Sequence, residues 1–215
     1  RVEDSAGIVL ATRRYRAYEL RFRALWATTW LEVRALEVPV EGGKINIFDL
    51  DLERSRRLAD RCKRELGIAA DVSRTVKEAV TGADVVVTAT TSRTPVLRGG
   101  EVDQGTHVAA IGAYTPDTRE LDSHLVSKAS IYVDSMEAAM AEAGDILIPM
   151  KEGVITKENI RGDLAGLVAG TIRGRTDQRE ITLFKAVGLA FEDNAVGWLL
   201  YRKALSAGIG QWVDV

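Results

Sequence analysis

Residues 83–121, ADVVVTATTSRTPVLRGGEVDQGTHVAAIGAYTPDTREL, contain two apolar runs that each end abruptly in small and polar residues. The first run, 85–89, is β-branched and continuously apolar, which is typical of a parallel strand covered by helices on both faces. It stops at the polar residues 90–92, and the second run, 107–112, stops at Gly112, Ala113 and Tyr114. Both runs predict buried parallel strands with open carboxyl ends.

The residues after these two strands are candidates for a binding site. Ligands of open α/β sheets lie beyond the carboxyl ends of the strands, where small residues let a ligand approach the backbone. Each loop alone, 90–92 or 112–113, is also compatible with an ordinary turn. Together they favour a site.

The composition describes a soluble globular protein. The chain has 215 residues, of which 46% are hydrophobic and 28% charged, and a formal net charge of −2. This slight acidity gives no strong field for nucleic acid, so we expect no nucleic-acid partner. No window reaches the roughly 18 apolar residues that span a bilayer, and the first residues have no signal-peptide core, so we expect no membrane contact.

The cysteine and histidine residues predict an intracellular, cytoplasmic protein without a metal site. The single cysteine, Cys62, cannot form an internal disulfide, and His107 and His124 are too far apart in sequence for a metal-ligand cluster. We expect Cys62 to pack as a small hydrophobe, His107 to be packed and hydrogen-bonded in its strand, and His124 to be solvated on a helix.

Residues 1–44 predict a strand over AGIVLAT and then a helix over 15–36, where apolar residues recur at helical spacing among arginines. In a nucleotide-binding sheet the turn between such elements carries GxGxxG, whose glycines let the backbone approach the pyrophosphate. The turn here reads LATRRYR, so this fingerprint is absent. An alternative is that Arg13, Arg14 and Arg16 neutralise a pyrophosphate there.

The segment KINIF, residues 44–48, predicts a strand followed by Asp49 and Asp51 and then by a helix that ends at Gly67. A carboxylate at the end of the second strand of a dinucleotide-binding sheet accepts the adenosine ribose hydroxyls and repels a 2′-phosphate. Asp49 is therefore a candidate ligand of NAD rather than NADP, although such a residue also commonly caps a helix. For Asp51 the cap is the favoured role.

Strand and helix patterns alternate through the rest of the chain. The alternation predicts an α/β fold with a doubly wound parallel sheet joined by right-handed crossovers. Residues 144–174 predict short helices and turns over one edge of this sheet. The strand-like ITLF and a long helix over 188–207 close the chain, with Trp198 and Leu199 on the buried face of the helix.

Four segments resemble the ornithine cyclodeaminase and mu-crystallin family, which includes archaeal-type alanine dehydrogenases and ketimine reductases. In chain order they are ADVVVTATTSRTPVL, IGAYTPDTREL, IYVDSMEAAMAEAGDIL and EITLFKAVGLAFED. The resemblance covers about residues 45–207, and 1–44 match only loosely. It implies a Rossmann-type dinucleotide-binding domain over 1–180. A C-terminal strand and helix over 181–215 would pack on the family's N-terminal substrate and dimerisation domain, almost none of which is expected in this chain.

The resemblance also implies site residues. It places cofactor contacts at the ends of four strands: Asp49, Thr90, Val108, Ala109, Ala110, Ile111 and Ala186. Val187, next to Ala186 in FKAVG, faces the substrate. Tyr114 occupies the position where the cyclodeaminases have a catalytic aspartate. The resemblance implies no substrate-binding arginine or lysine in this chain, because the N-terminal substrate domain supplies those residues in the family.

The function implied is that of an NAD(P)-dependent oxidoreductase acting on a small amino acid or its imine. Because Tyr114 is not a carboxylate, activity like that of alanine dehydrogenase or ketimine reductase is favoured over ornithine cyclodeamination, which stays a further alternative. A different alternative is a catalytically silent cofactor-binding or structural relative, or a truncated fragment, since the phosphate turn lacks its glycines.

Two further expectations concern the C-terminal part. Lys185 follows ITLF and is expected to be an exposed strand-end lysine. The last helix carries more apolar residues than one sheet face can cover, which predicts self-association, with a homodimer as the expected assembly. Alternatively, this helix packs on residues 1–44 through Trp26 and Trp30.

Overall fold

The computed structural model describes residues 8–13, 20–21, 34–35 and 43–211. Its strands, in chain order, are β1 Ile8–Arg13, β2 Leu20–Arg21, β3 Arg34–Ala35, β4 Lys44–Phe48, β5 Ala69–Val72, β6 Val85–Ala89, β7 His107–Ala110, β8 Ser130–Val133, β9 Ile160–Asp163 and β10 Thr182–Lys185. Eight of these form one sheet in the order β5-β4-β1-β6-β7-β10-β8-β9, and β2 pairs with β3 separately.

Helices follow most of the strands of the large sheet. They are α1 Leu52–Arg61, α2 Val76–Val80, α3 Ser123–Lys128, α4 Met136–Glu142, α5 Gly144–Lys151, α6 Leu164–Val168 and α7 Ala190–Ala207. A π-helical turn, Cys62–Leu66, extends α1 to Gly67, whose left-handed backbone (φ 66°) ends the helix as predicted. The predicted α/β fold with a parallel sheet and helices is confirmed.

Helices cover both faces of the sheet. As a result, alternate residues of its central strands belong to two different cores. Val86 packs in the larger core with α2 to α5, whereas Val85 and Val87 pack in the smaller core with Ala59 and Cys62 of the α1 segment. Successive strand residues point to opposite faces. The apolar run of β6 is therefore continuous because both of its faces are buried, which is the predicted doubly wound arrangement.

Strand β1 departs from the predicted parallel sheet. It runs antiparallel to both of its neighbours, β4 and β6, with Arg13 opposite Lys44 and Ile8 opposite Ala89. The strand also continues to Arg13, so the first residues of the predicted turn LATRRYR lie inside it. As a result, the C-terminal end of β1 lies at the edge of the sheet opposite to the carboxyl ends of the parallel strands.

The helix predicted over 15–36 is wrong where the structure describes that segment. Leu20–Arg21 and Arg34–Ala35 are short antiparallel strands with Leu20 opposite Ala35. Apolar residues among arginines satisfy either period over so short a stretch, so periodicity alone cannot separate helix from strand there. The other residues of the predicted helix lie outside the described residues.

Two strands near the C-terminus complete the sheet. Strand β10 lies between β7 and β8 and is parallel to both, with Thr182 opposite His107 and Ser130. Strand β9 is the outermost strand of the sheet, next to β8, although only helices and turns were predicted for this part of the sequence. Because β10 is central, the strand of segment 181–215 belongs to the same sheet as the preceding residues, while the packing of α7 on a further domain stays a prediction.

Helix α7 is exposed along its whole length. The prediction that Trp198 and Leu199 lie on a buried face is wrong, since 62% of Trp198 and 44% of Leu199 is exposed. None of the α7 residues is buried. The predicted excess of apolar surface on this helix is thus present, while Trp26 and Trp30, its alternative cover, lie outside the described residues. None of the described helices is long and apolar enough to cross a bilayer.

Candidate active site at the carboxyl edge of the sheet

The predicted site residues converge at one edge of the sheet. Parallel strands β4, β6, β7, β10 and β8 end side by side, apart from the intervening β1, and their carboxyl ends face the same edge. The loops that follow them begin at Asp49, Thr90, Ile111, Ala186 and Asp134. Topology therefore unites residues that are up to 137 positions apart in the chain.

Asp49, at the end of β4, is a buried carboxylate with one oxygen in use. Its Oδ1 accepts the Asp51 N–H at 2.8 Å, whereas Oδ2 is buried and has no hydrogen-bond partner among the described residues. Burial raises the pKa of Asp49, and the Asp51 N–H opposes that shift. The helix cap is Asp51, which accepts the N–H groups of Glu53 and Arg54. Asp49 is therefore not the N-cap, and a buried acceptor remains available.

The loops after β6 and β7 touch each other. Gly112 lies so close to Thr90 that a β-carbon at Gly112 would be 2.1 Å from the Thr90 nitrogen and 2.2 Å from its carbonyl oxygen. Only glycine fits such an approach of two backbones. The Thr90 hydroxyl accepts the Ser92 N–H at 3.3 Å, which shapes the loop locally.

A buried charged network underlies these loops, and it overturns the expectation for Lys185. Lys185 is fully buried, not exposed: its Nζ lies 3.1 Å from Asp145 Oδ2 and donates to the carbonyl oxygen of Ala113. The carboxylate of Glu120, equally buried, accepts backbone N–H groups from both loops. A lysine at the end of an apolar strand is buried here because β10 is central and a carboxylate from α5 reaches it.

Asp134, at the end of β8, holds the loop that follows β10. Its Oδ2 accepts the N–H groups of Val187 at 2.8 Å and Gly188 at 2.9 Å, and its Oδ1 accepts the Ser135 N–H at 2.8 Å. Charged acceptors make stronger hydrogen bonds than neutral ones. The FKAVG turn is thus fixed by the neighbouring strand.

The other predicted contacts differ in exposure. Val108, Ala109 and Ala110 are buried, with side chains packed in the two cores of the sheet. Ile111, Ala186 and Val187 are half-buried at the strand ends. Ile111, Ala186 and Val187 can therefore contact a ligand beyond the sheet edge more easily than the three buried residues can. The cofactor and substrate contacts assigned to all six residues stay predictions.

The environments expected for His107, His124 and Cys62 are confirmed. His107 Nδ1 is hydrogen-bonded to the Thr182 hydroxyl at 2.8 Å, and burial, together with Arg175, lowers the pKa of His107 to about 4. His124 is exposed near the start of α3. Cys62 is buried, and burial raises the pKa of its thiol. Among the described residues, no group of three or more His, Cys, Asp or Glu could hold a metal ion.

Of the three arginines considered for a pyrophosphate, the described residues include Arg13, which lies at the opposite end of the sheet. Arg13 lies opposite Lys44, at the amino end of β4, and so at the far edge of the sheet from Asp49 and Thr90. The suggestion that Arg13 neutralises a pyrophosphate at the carboxyl edge is therefore wrong, because β1 is antiparallel. Arg14 and Arg16 lie outside the described residues.

The sequence profile of the ornithine cyclodeaminase/mu-crystallin family matches residues 27–208. The chain belongs to this family. Membership confirms the resemblance of the four segments and extends it to residues before position 45.

Individual members of the family are similar in both sequence and structure. A Delta(1)-pyrroline-2-carboxylate reductase of Thermococcus litoralis, solved in complex with NADH and L-proline, shares 44% identity with a TM-score of 0.76, over 79% of this chain and 53% of that one. An archaeal alanine dehydrogenase dimer with bound NAD shares 36% identity with a TM-score of 0.72, over 80% of this chain and 52% of that one. A Delta(1)-pyrroline-2-carboxylate reductase of Bacillus cereus is 37% identical over 172 residues, 80% of this chain and 53% of the reductase.

The chain spans about half the length of the curated relatives it matches. The assignment of Tyr114 to the position of the cyclodeaminases' catalytic aspartate stays a prediction. The structure places Tyr114 just beyond the end of β7, with 40% of its surface exposed. The structure therefore places the phenol of Tyr114 at the same end of the sheet as Thr90 and Gly112.

Sequence reasoning missed Glu120 and Asp145, which organise the site. Glu120 lies in the loop between β7 and α3 and Asp145 lies in α5, and neither follows a strand directly. The available signal was the apolar run ITLF directly before Lys185, since a lysine that is buried with such a strand requires a carboxylate partner.

Proposed function

We propose that this chain carries the dinucleotide-binding domain of an NAD-dependent oxidoreductase that acts on a small amino acid or its imine. The observation that carries the proposal is Asp49, a buried carboxylate at the end of β4 whose Oδ2 has no partner among the described residues. Such an acceptor suits the ribose hydroxyls of an adenosine. Relatives solved with NADH or NAD over the same part of the chain support it.

We propose a preference for NAD over NADP. Asp49 is followed by Leu50 rather than by a basic residue, so a 2′-phosphate would meet a carboxylate that no basic residue directly follows. Arg54 sits on α1, where its Nε lies 3.8 Å from Asp51 Oδ2. That guanidinium pairs with the carboxylate of the helix cap, and its charge also opposes the rise in the pKa of Asp49.

The chemistry at the sheet edge would be hydride transfer at the α-carbon of the substrate, which the nicotinamide supplies when it is bound. The chain would orient the cofactor and the substrate and exclude water from the site. The ends of β7 and β10 present Ile111, Ala186 and Val187, and Asp134 fixes the backbone of the last of these through its N–H. The fully buried side chains beneath them exclude water from one side of the site.

Tyr114 supports reduction of an imine, or oxidation of the amino acid, over cyclodeamination. A phenol is not a carboxylate and cannot replace the aspartate that the resemblance assigns to this position in the cyclodeaminases. The cofactor supplies the hydride transfer at the α-carbon, whereas the resemblance ties ring closure with loss of ammonia to that aspartate. We therefore propose activity like that of the reductases and alanine dehydrogenases among the relatives.

A steady-state assay tests the proposed activity. The purified chain is given NADH with Delta(1)-pyrroline-2-carboxylate, or NADH with pyruvate and ammonia, and consumption of NADH is followed by absorbance. In parallel, ornithine with NAD is analysed for proline. We expect consumption of NADH with an imine and no proline from ornithine. Proline formation without NADH consumption would contradict the proposed activity, and inactivity in all assays would favour the silent relative.

We also propose that the chain assembles as a homodimer. Helix α7 presents a set of large apolar side chains of which 42–67% is exposed: Phe191, Val196, Trp198, Leu199, Leu200, Tyr201 and Leu205. Surfaces of this kind usually mark an interface, and an archaeal relative is a dimer. Light scattering on the purified chain should give twice the chain mass, whereas a monomer that binds no hydrophobic dye would contradict the proposal.

A further inference from the structure

One buried carboxylate joins the loops that follow β6 and β7. Glu120 Oε1 accepts the Thr90 N–H at 2.6 Å, and Oε2 accepts the N–H groups of Gly112 at 2.8 Å and Ala113 at 3.3 Å. Thr90 directly follows β6, and the other two directly follow Ile111 at the end of β7. A single side chain thus bridges the ends of two neighbouring strands.

The backbone of Glu120 is itself held on both sides. Its carbonyl oxygen accepts the N–H groups of Val96 at 2.7 Å and Leu97 at 3.0 Å, and its N–H donates to Asp145 Oδ1 at 2.8 Å. Asp145 Oδ1 also accepts the Leu121 N–H at 2.9 Å. Because the main chain is fixed and the side chain is fully buried, the carboxylate has little freedom to move with either loop.

Lys185 ties the same network to β10. Its ammonium donates a hydrogen bond to the carbonyl oxygen of Ala113, and the Ala113 N–H donates one to Glu120. Both backbone polar groups of Ala113 are therefore hydrogen-bonded to the network. Burial and, to a smaller extent, the charge of Asp145 raise the pKa of Glu120, and the charge of Lys185 and the backbone N–H groups oppose that shift. The ammonium therefore supports the ionised form that can accept from both loops at once.

We propose that Glu120 is a positioning residue for the cofactor, which sets the gap between Thr90 and the 112–113 segment before a dinucleotide arrives. This inference rests on the cofactor binding proposed above. The two loops are in contact at Gly112, so a small shift of one against the other changes the shape of the edge. Loops ordered in advance require no ordering when the ligand binds, which increases affinity.

The variant Glu120→Gln tests this inference. The amide has nearly the same volume, but its NH2 group would face an N–H donor on one side, so one loop loses its anchor. We expect the amide hydrogens of Thr90 or of Gly112 and Ala113 to exchange about tenfold faster, because hydrogen bonds to charged groups contribute a tenfold factor or more. Amides inside the sheet, such as those of Val108 and Ile131, keep their protection. The dissociation constant for NADH rises by about the same factor.

Val126→Ala is the matched control, because Val126 is fully buried in α3 and bonds to neither loop through its side chain. We expect it to lower the melting temperature without accelerating the three loop amides relative to sheet amides, and without changing the NADH dissociation constant. If Glu120→Gln gives the same pattern as Val126→Ala, Glu120 is merely structural and the inference is overturned.

The exchange measurement separates this inference from the proposed function, since it requires no cofactor. A wild-type chain that binds no NADH overturns the proposed function and the cofactor role of Glu120, while the three amides still decide whether Glu120 anchors the loops. If Glu120→Gln does not fold, exchange in the wild-type chain decides that point: protection of the three amides close to that of Val108 supports the anchor. Exchange as fast as in exposed loops overturns it.

Discussion

Lys185 Nζ lies 3.1 Å from Asp145 Oδ2, and neither side chain exposes any surface to solvent. The pair joins the central strand β10 to the first turn of α5. Two charges taken from water contribute little net stability as a pair, but the loss of one partner leaves the other buried and uncompensated. The site edge above the pair therefore depends on both residues.

Replacing the lysine should be costly. We expect Lys185→Met to lower the free energy of unfolding by about 3–5 kcal/mol, because Asp145 and Glu120 stay buried without the cation. Urea denaturation at pH 7 measures the loss. Lys128→Met, at an exposed position of α3, is the control and should change stability by less than about 0.5 kcal/mol.

The double variant Lys185→Met with Asp145→Asn isolates the ionic contribution. Removing both charges should recover part of the loss, giving a coupling energy of about 1–3 kcal/mol between the two positions. Strictly additive losses would show that the two side chains do not interact as the structure indicates.

Gly112 should not tolerate even alanine. A β-carbon there would lie 2.1 Å from the Thr90 nitrogen, so the two loops would have to separate. We expect Gly112→Ala to cost about 3 kcal/mol or more, as overpacking against backbone does. Gly100→Ala is the matched control, because a β-carbon at Gly100 meets nothing within 4 Å. Equal melting temperatures for the two variants would contradict the close approach.

The free energy of unfolding should fall as the pH is lowered, because His107 becomes protonated. The pKa of His107 is about 4 in the fold against 6.5 ordinarily, so the unfolded chain takes up the proton first as the pH falls. The neutral histidine therefore stabilises the fold fully above pH 6.5, and this contribution is lost between pH 6.5 and about 4, by up to about 3 kcal/mol. The difference in unfolding free energy between wild type and His107→Gln, measured across this range, should shrink accordingly. A difference that is constant with pH would contradict it.

The sequence was sufficient for most of the fold, because the buried strands and the cap and stop residues of α1 are local signals. Asp51 and Gly67 act as predicted at the two ends of that helical segment. The antiparallel course of β1 and the insertion of β10 between β7 and β8 could not be predicted, since both depend on pairing between distant residues. The apolar pattern of a strand does not state its direction or its neighbour.

Less of the candidate site was predictable. Asp49 and Thr90 follow strands directly, so their place at the sheet edge could be inferred. Glu120 and Asp145 act through backbone N–H groups of segments that are distant in sequence, and no spacing reveals such contacts. Lys185 was predicted to be exposed because most lysines at strand ends lie on the surface. That prediction is wrong, because β10 is a central, buried strand.

Asp49→Asn should change which dinucleotide the chain prefers. The amide keeps an oxygen for the Asp51 N–H but places an NH2 group where Oδ2 lies, so it loses the ribose acceptor and the charge that repels a 2′-phosphate. We expect the ratio of the NADPH to the NADH dissociation constant to fall by about tenfold or more. Asp51→Asn is the control, since asparagine caps a helix as well as aspartate does, and it should leave the ratio unchanged.

Calorimetric titration of the 215-residue chain with NADH and with NADPH tests the proposed cofactor role most directly. We predict saturable binding of NADH and binding of NADPH that is weaker by about tenfold or more, because the Asp49 carboxylate repels the 2′-phosphate. Absence of saturable heat with both dinucleotides would contradict the proposal that this chain is a dinucleotide-binding domain. Equal or tighter binding of NADPH would contradict the role of Asp49.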